Sequence, residues 1–156
     1  MKKEKMYKPT PLFKKSLLKM AENSIGSNVF RNLYIRLEDG SEVDALKDGD
    51  LSCAVFVSGI LSAIGLVDKG HATVTSTIKA LEEAGWQEVA ISSPLPADVI
   101  VWDEYTHDDG SATKHIGFYI GNDMAISNSS EKRSPQKHHW TYEGKRSPIK
   151  LLRYNF

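Results

Sequence analysis

The chain has 156 residues, 40% of them hydrophobic and 26% charged, a normal composition and length for one soluble globular domain with a single core. Twenty basic residues balance twenty acidic ones, so net charge argues neither for nucleic acid nor for a membrane surface as a partner. A single cysteine excludes an internal disulfide, and no apolar run is long enough to span a membrane.

Residues 1–20 carry seven lysines (Lys2, Lys3, Lys5, Lys8, Lys14, Lys15 and Lys19) against Glu4. A solvated basic arm is the simpler reading than a contact with an anionic polymer. Residues 1–11 read as a flexible lead, and Thr10-Pro11 opens a helix over about 12–22. Residues 29–37 have strand composition, Asp39-Gly40 is a turn signal, and 41–50 reads as a polar loop.

Residues 53–64 are nearly all apolar or small. Period alone does not separate buried helix from buried strand, but the length favours a helix. Ser52 or Asp50 is its expected N-cap and Gly65 its stop. A second helix follows from Val74, Ile78 and Leu81 at i, i+4 and i+7, ending at Gly85. Pro94 and Pro96 mark a loop, and Ala97 to Trp102 a strand. Residues 103–113 read as an exposed loop, and 115–120 with 124–129 as a hairpin around Gly121-Asn122-Asp123. A polar loop is expected at 129–139 and a last strand at 149–154. Helices first and antiparallel strands afterwards argue an α+β fold. The expected organisation is a basic N-terminal arm and helix at 1–28 and one domain over 29–156.

Cys53 falls in the first turn of the first apolar helix. Unpaired N–H groups and the helix dipole there favour thiolate, and the same groups can donate to an oxyanion. About sixty residues later His115 opens the run His-Ile-Gly-Phe-Tyr-Ile. A thiol at a helix start and an imidazole at a strand start are the two halves of a cysteine–histidine acyl-transfer site. The plain alternatives are a small buried cysteine and a hydrogen-bonded structural histidine. Strand alternation puts His115, Gly117 and Tyr119 on one face and Ile116, Phe118 and Ile120 on the other. Gly117 is expected to leave room for the helix on the histidine side.

A third group is needed to hold the far ring nitrogen. A two-residue turn at Asn122-Asp123 pairs Gly117 with Asn128, whereas a three-residue turn puts Ser127 there. Asn128 is chosen because its amide oxygen accepts an imidazole N–H. His138 and His139 read as exposed loop histidines beside Trp140, with contact to substrate or the third role open to either. No CxxC, HExxH or carboxylate cluster makes them a metal pair, and no cofactor motif is present. His71 reads as local structure, and Trp86, Trp102 and Trp140 as core or cleft wall.

Three segments carry a family resemblance: Asp50-Leu51-Ser52-Cys53-Ala54-Val55-Phe56-Val57, Pro96-Ala97-Asp98-Val99-Ile100-Val101-Trp102, and His115-Ile116-Gly117-Phe118-Tyr119-Ile120-Gly121-Asn122. In this order they resemble the NlpC/P60 cysteine peptidase superfamily and its CHAP-type relatives, over roughly residues 46–154. The second segment is similar to that family's Gly-Asp-Leu-Val-Phe strand and the third to its His-Val-Gly-Ile-Tyr-Leu-Gly-Asn block. Ser-Cys-Ala-Val-Phe stands where the family usually has Asp-Cys-Ser-Gly-Phe. Its third polar residue, usually histidine, falls at Ser127 by counting.

The resemblance implies a papain-like fold and hydrolysis of amide bonds in peptidoglycan stem peptides, with Cys53 as nucleophile and His115 as base. Muramoyl-alanine amidase activity and a degenerate binding module on the same fold are the alternatives. No signal sequence is seen, so the expected location is the cytoplasm by default. The cell wall would then be reached by release or by a non-standard export route.

Overall fold

The computed structural model describes residues 8–106 and 108–156. Residues 1–7 of the expected lead, with Lys2, Lys3 and Lys5, lie outside the described residues. The chain forms α1 (Phe13–Asn23), β1 (Tyr34–Arg36), β2 (Glu42–Asp44), α2 (Cys53–Ala63), α3 (Val74–Glu83), β3 (Gln87–Val89), β4 (Val99–Thr106), β5 (Ala112–Gly121), β6 (Met124–Ser129), β7 (Ser134–His139) and β8 (Pro148–Arg153). The helices precede an antiparallel sheet of order β3-β8-β4-β5-β6-β7, which is an α+β architecture.

Four segments differ from the sequence reading. The expected loop at 41–50 contains β2, which pairs with β1 as a separate two-stranded ribbon. Gln87–Val89 adds an edge strand against β8. The polar stretch 103–113 is mostly the extended tips of β4 and β5, and 134–139 is β7 paired with β6. These strands are short or solvent-facing, so their sequences lack the apolar alternation that marks a half-buried strand.

The three helices lie on one face of the sheet. Ala54, Phe56, Val57, Ile60 and Leu61 of α2 bury against Val99, Val101, Ile116, Phe118 and Ile126, with Leu17 and Ala21 of α1 and Leu81 of α3. Phe56 meets Phe118 edge-on at 5.6 Å. Each such side chain contributes about 1.5–3 kcal/mol when buried. An exposed i,i+4 pair such as Lys79–Glu83 contributes about 0.3–0.5 kcal/mol. Packing, not surface charge, therefore sets where α2 begins. The histidine side of the sheet carries a second, smaller core of Ile100, Trp102, Tyr119, Ala125 and Leu151, closed by Trp140 and Tyr142 from the β7–β8 connection.

The expectation that the cysteine helix lies on the histidine side is corrected: α2 packs on the Ile116/Phe118 face. Gly117 makes room for something else. A Cβ there would lie 2.7 Å from the Ile126 carbonyl oxygen, 2.7 Å from Ser127 Cβ and 3.0 Å from the Trp102 ring. At the start of β4, Asp98 takes a bidentate bond from Arg153, with both contacts at 2.7 Å. This pair ties β4 to β8.

Candidate active site

α2 starts at Cys53 because a polar turn gives way there to a run of apolar and small residues. Ser52 occupies the N-cap position, but its side chain makes no capping bond. Its buried hydroxyl has no hydrogen-bond partner among the described residues. The Phe56 N–H closes the first turn onto the Ser52 carbonyl at 2.9 Å, so the N–H groups of Cys53 and Ala54 precede the helical ladder.

The turn before Cys53 is held from outside. Asp44 accepts from the N–H groups of Leu33 (2.9 Å), Leu46 (3.1 Å) and Asp48 (2.7 Å). Chiefly through the Leu33 N–H, its carboxyl is held at about 2. From the β6–β7 hairpin, Asn128 Nδ2 donates to the Gly49 carbonyl at 2.8 Å and Ser130 Oγ to the Asp50 carbonyl at 2.9 Å. Arg133 Nη1 reaches the carbonyls of Lys47 (3.2 Å) and Asp48 (3.1 Å). Gly49 sits at φ +92°, and a Cβ there would meet the Arg133 carbonyl oxygen at 2.8 Å, so the approach of the two backbones requires glycine.

His115 stands opposite Trp102 in the sheet, its ring tilted on the indole at 5.1 Å. The β5–β6 turn is the two-residue Asn122-Asp123 turn, with φ +53° and +59° and Gly121 facing Met124. Register then slips between Tyr119 and Gly121, so Gly117 faces Ser127 and not Asn128. A bulge at Ile120 supplies the extra residue. Ser127 therefore lies on the histidine face, and Asn128 points to the opposite face and into the turn before Cys53. The assignment of Asn128 as the group that orients His115 is corrected on this geometry. The Asn128 Oδ1 atom is buried with no partner among the described residues.

His115 Nε2 is 2.8 Å from Ser127 Oγ. Ser127 Oγ is in turn 2.7 Å from His138 Nε2 and 3.0 Å from the Tyr142 hydroxyl. His138 Nδ1 lies 2.8 Å from the His139 carbonyl oxygen. A carbonyl only accepts, so Nδ1 of His138 carries the proton and its Nε2 accepts from the Ser127 hydroxyl. Ser127 Oγ then accepts from His115 Nε2–H, and the lone pair of His115 is on Nδ1. Tyr142 stacks on His138 at 4.0 Å. His138 thus belongs to β7 and to this network, not to an exposed loop. His139 instead bonds Thr141, its Nδ1 accepting from the Thr141 N–H at 3.2 Å. His71 is local structure, 3.1 Å from Asp68.

Cys53, His115, Ser127, His138, Tyr142 and Arg146 line one cleft of about 1000 Å³. Burial pushes the thiol up, and the N–H groups of Ile116 and Ala54 and the charge of Arg146 offset this only in part. Burial, then Arg146 and His138, pulls His115 down to about 3. Where the helix position led to an expected depressed thiol, the thiol is raised and the imidazole lowered, because desolvation of both charged forms outweighs the helix N-terminus.

Sequence reasoning missed Asp44, Arg133, Tyr142 and Arg146. Each acts from a polar loop or a short ribbon, and none has a local motif. Among the described residues no group of three or more His, Cys, Asp or Glu side chains is placed to hold a metal ion.

The sequence profile of a bacteriophage peptidoglycan hydrolase family matches residues 44–136, more than half of the chain, and the chain belongs to that family. The matched segment holds Cys53, His115, Ser127 and Asn128, and ends before His138, Tyr142 and Arg146. No curated protein matches the sequence.

Proposed function

We propose that this member of the bacteriophage peptidoglycan hydrolase family is a thiol hydrolase of the NlpC/P60 type that cuts an amide bond of the peptidoglycan stem peptide. The observation that carries this reading is that Cys53, at the start of α2, and His115 line one cleft, while Ser127 occupies one nitrogen of the ring. Nδ1 of His115 takes the Sγ proton as sulfur bonds to the amide carbon. Negative charge collects on the carbonyl oxygen, and the free N–H groups of Cys53 and Ala54 receive it. The intermediate collapses as the C–N bond breaks, and Nδ1 returns the proton to the leaving amine. Water, deprotonated by His115, then attacks the thioester and releases the acid and the thiol. Ser127 and His138 act through His115: the chain of bonds to the His139 carbonyl keeps the proton on Nε2, so that the lone pair stays on Nδ1.

Neutral partners suit this scheme. An imidazole held low is in its base form across the neutral range, and the thiol loses its proton only as the new bond forms. The test is digestion of purified peptidoglycan followed by mass spectrometry of the soluble fragments. Wild type is expected to release fragments, and Cys53→Ala to release none while keeping the wild-type circular dichroism spectrum. Turnover retained by Cys53→Ala would sink the nucleophile assignment. The new termini identify the bond: cleavage inside the stem marks an endopeptidase, and a stem beginning at its first alanine marks a muramoyl-alanine amidase.

A further inference from the structure

We infer that Arg146 forms a carboxylate-binding subsite in this cleft, reading one acidic group of the peptide close to the bond that is cut. The location relative to that bond rests on the proposed role of Cys53; the subsite itself does not. Arg146 lies in the β7–β8 connection and is half-buried. Its Nε and Nη2 donate to the Asp103 carbonyl at 3.1 and 3.0 Å, and Nη2 also to the Thr113 carbonyl at 3.2 Å. These acceptors are backbone atoms of β4 and β5. They fix the guanidinium plane without neutralising its charge.

No Asp or Glu among the described residues forms an ion pair with Arg146; the Asp103 carboxylate accepts from the Glu104 N–H at 2.8 Å, and its charge acts on the guanidinium only from a distance. Nη1, with two N–H groups, makes no hydrogen bond among the described residues. Burying an arginine by half without a paired acid is unfavourable: burial pulls its pKa down, and the surrounding groups, Asp103 among them, offset this only in part. A purely structural arginine would regain that loss from a nearby acid. A planar fork held on one edge, set over the Tyr105 ring at 5.9 Å and with Nη1 unbonded among the described residues, instead matches an incoming carboxylate. Lys114, Lys145, Asp50 and Glu104 also line the cleft, so the cleft as a whole is not a general anion site. Recognition is of one carboxylate at one point.

The test uses the Cys53→Ala protein, which does not depend on turnover, and fluorescently labelled stem peptides. One peptide bears a free internal carboxylate and a free C-terminus, a second has the internal group amidated, a third the terminus, and a fourth both. Adding Arg146→Gln is expected to weaken the first peptide roughly tenfold or more in Kd and to leave the fourth unchanged. The single amidation that mimics this loss identifies which carboxylate is read. Arg146→Lys, which keeps the charge but not the fork, should fall between. Equal weakening of all four peptides, no weakening, or no binding by any of them would overturn the subsite. Absent wild-type turnover together with Arg146-dependent binding would remove the hydrolase reading and leave the subsite; turnover with Arg146-indifferent binding would do the reverse.

Discussion

His115 commits Nε2 to Ser127 Oγ, and what stands beyond that oxygen decides how firmly the ring is held. A serine alone is a weak anchor because its hydroxyl rotates freely. Here the hydroxyl is held between His138 Nε2, left as an acceptor because the Nδ1 of that ring is bound to a carbonyl, and the Tyr142 hydroxyl. Ser127→Ala should therefore lower kcat roughly tenfold to a hundredfold, with KM little changed and with a displaced alkaline pH limb. Asn128→Ala should act differently. It leaves the buried Gly49 carbonyl without its donor, costing about 1–3 kcal/mol of stability, and loosens the turn before Cys53. Steady-state kinetics and denaturant midpoints on the two variants check the split. A larger kcat loss in Asn128→Ala than in Ser127→Ala would show that the bulge does not set the catalytic register.

At the scale of elements, the site depends on β5 and β6 approaching closely at one point. Gly117 lies where a methyl group would meet a backbone oxygen and Ser127 Cβ, both at 2.7 Å. Neither contact is the far end of a flexible chain, so the strands themselves would have to part. Gly117→Ala is expected to cost about 1–3 kcal/mol and to move Ser127 away from His115. A thermal melt and the turnover of the folded fraction check it; an unperturbed, fully active variant would show that the strands yield there. The β6–β7 hairpin serves a second purpose. Asn128, Ser130 and Arg133 reach across to the carbonyls of residues 47–50 and so connect the loop of the nucleophile to the strand that carries Ser127.

For the whole molecule, burying His115 and His138 links folding to pH. Both imidazoles are held down chiefly by burial, His115 to about 3. The unfolded chain binds protons at these residues near pH 6.5, and the folded chain binds them only at lower pH. Stability contributed by the neutral rings is therefore complete above about pH 6.5 and falls below it, for His115 as pH drops toward 3. The limiting slope is about 1.4 kcal/mol per pH unit for each group. Urea midpoints between pH 7 and pH 4 should fall more steeply for wild type than for His115→Gln. Identical slopes would mean that the ring is not buried neutral.

Much of this molecule was legible locally. The α+β order, the span of α2 with Cys53 in its first turn, and His115 at the entry to an apolar strand all follow from patterns within a dozen residues. The Asn122-Asp123 turn was legible too, because two successive residues at positive φ favour those side chains. What the turn did not reveal is the bulge at Ile120, which moves Ser127 into the place given to Asn128. A bulge is chosen by how strands pack, not by the residues of the turn. The face on which α2 lies, the inclusion of His138 and the placing of the Arg146 guanidinium on the carbonyls of Asp103 and Thr113 likewise depend on segments far apart in sequence. The raised thiol of Cys53 is the clearest case: helix position is a sequence property and favours thiolate, but desolvation exists only once the chain has folded around the cleft, and it is the larger effect.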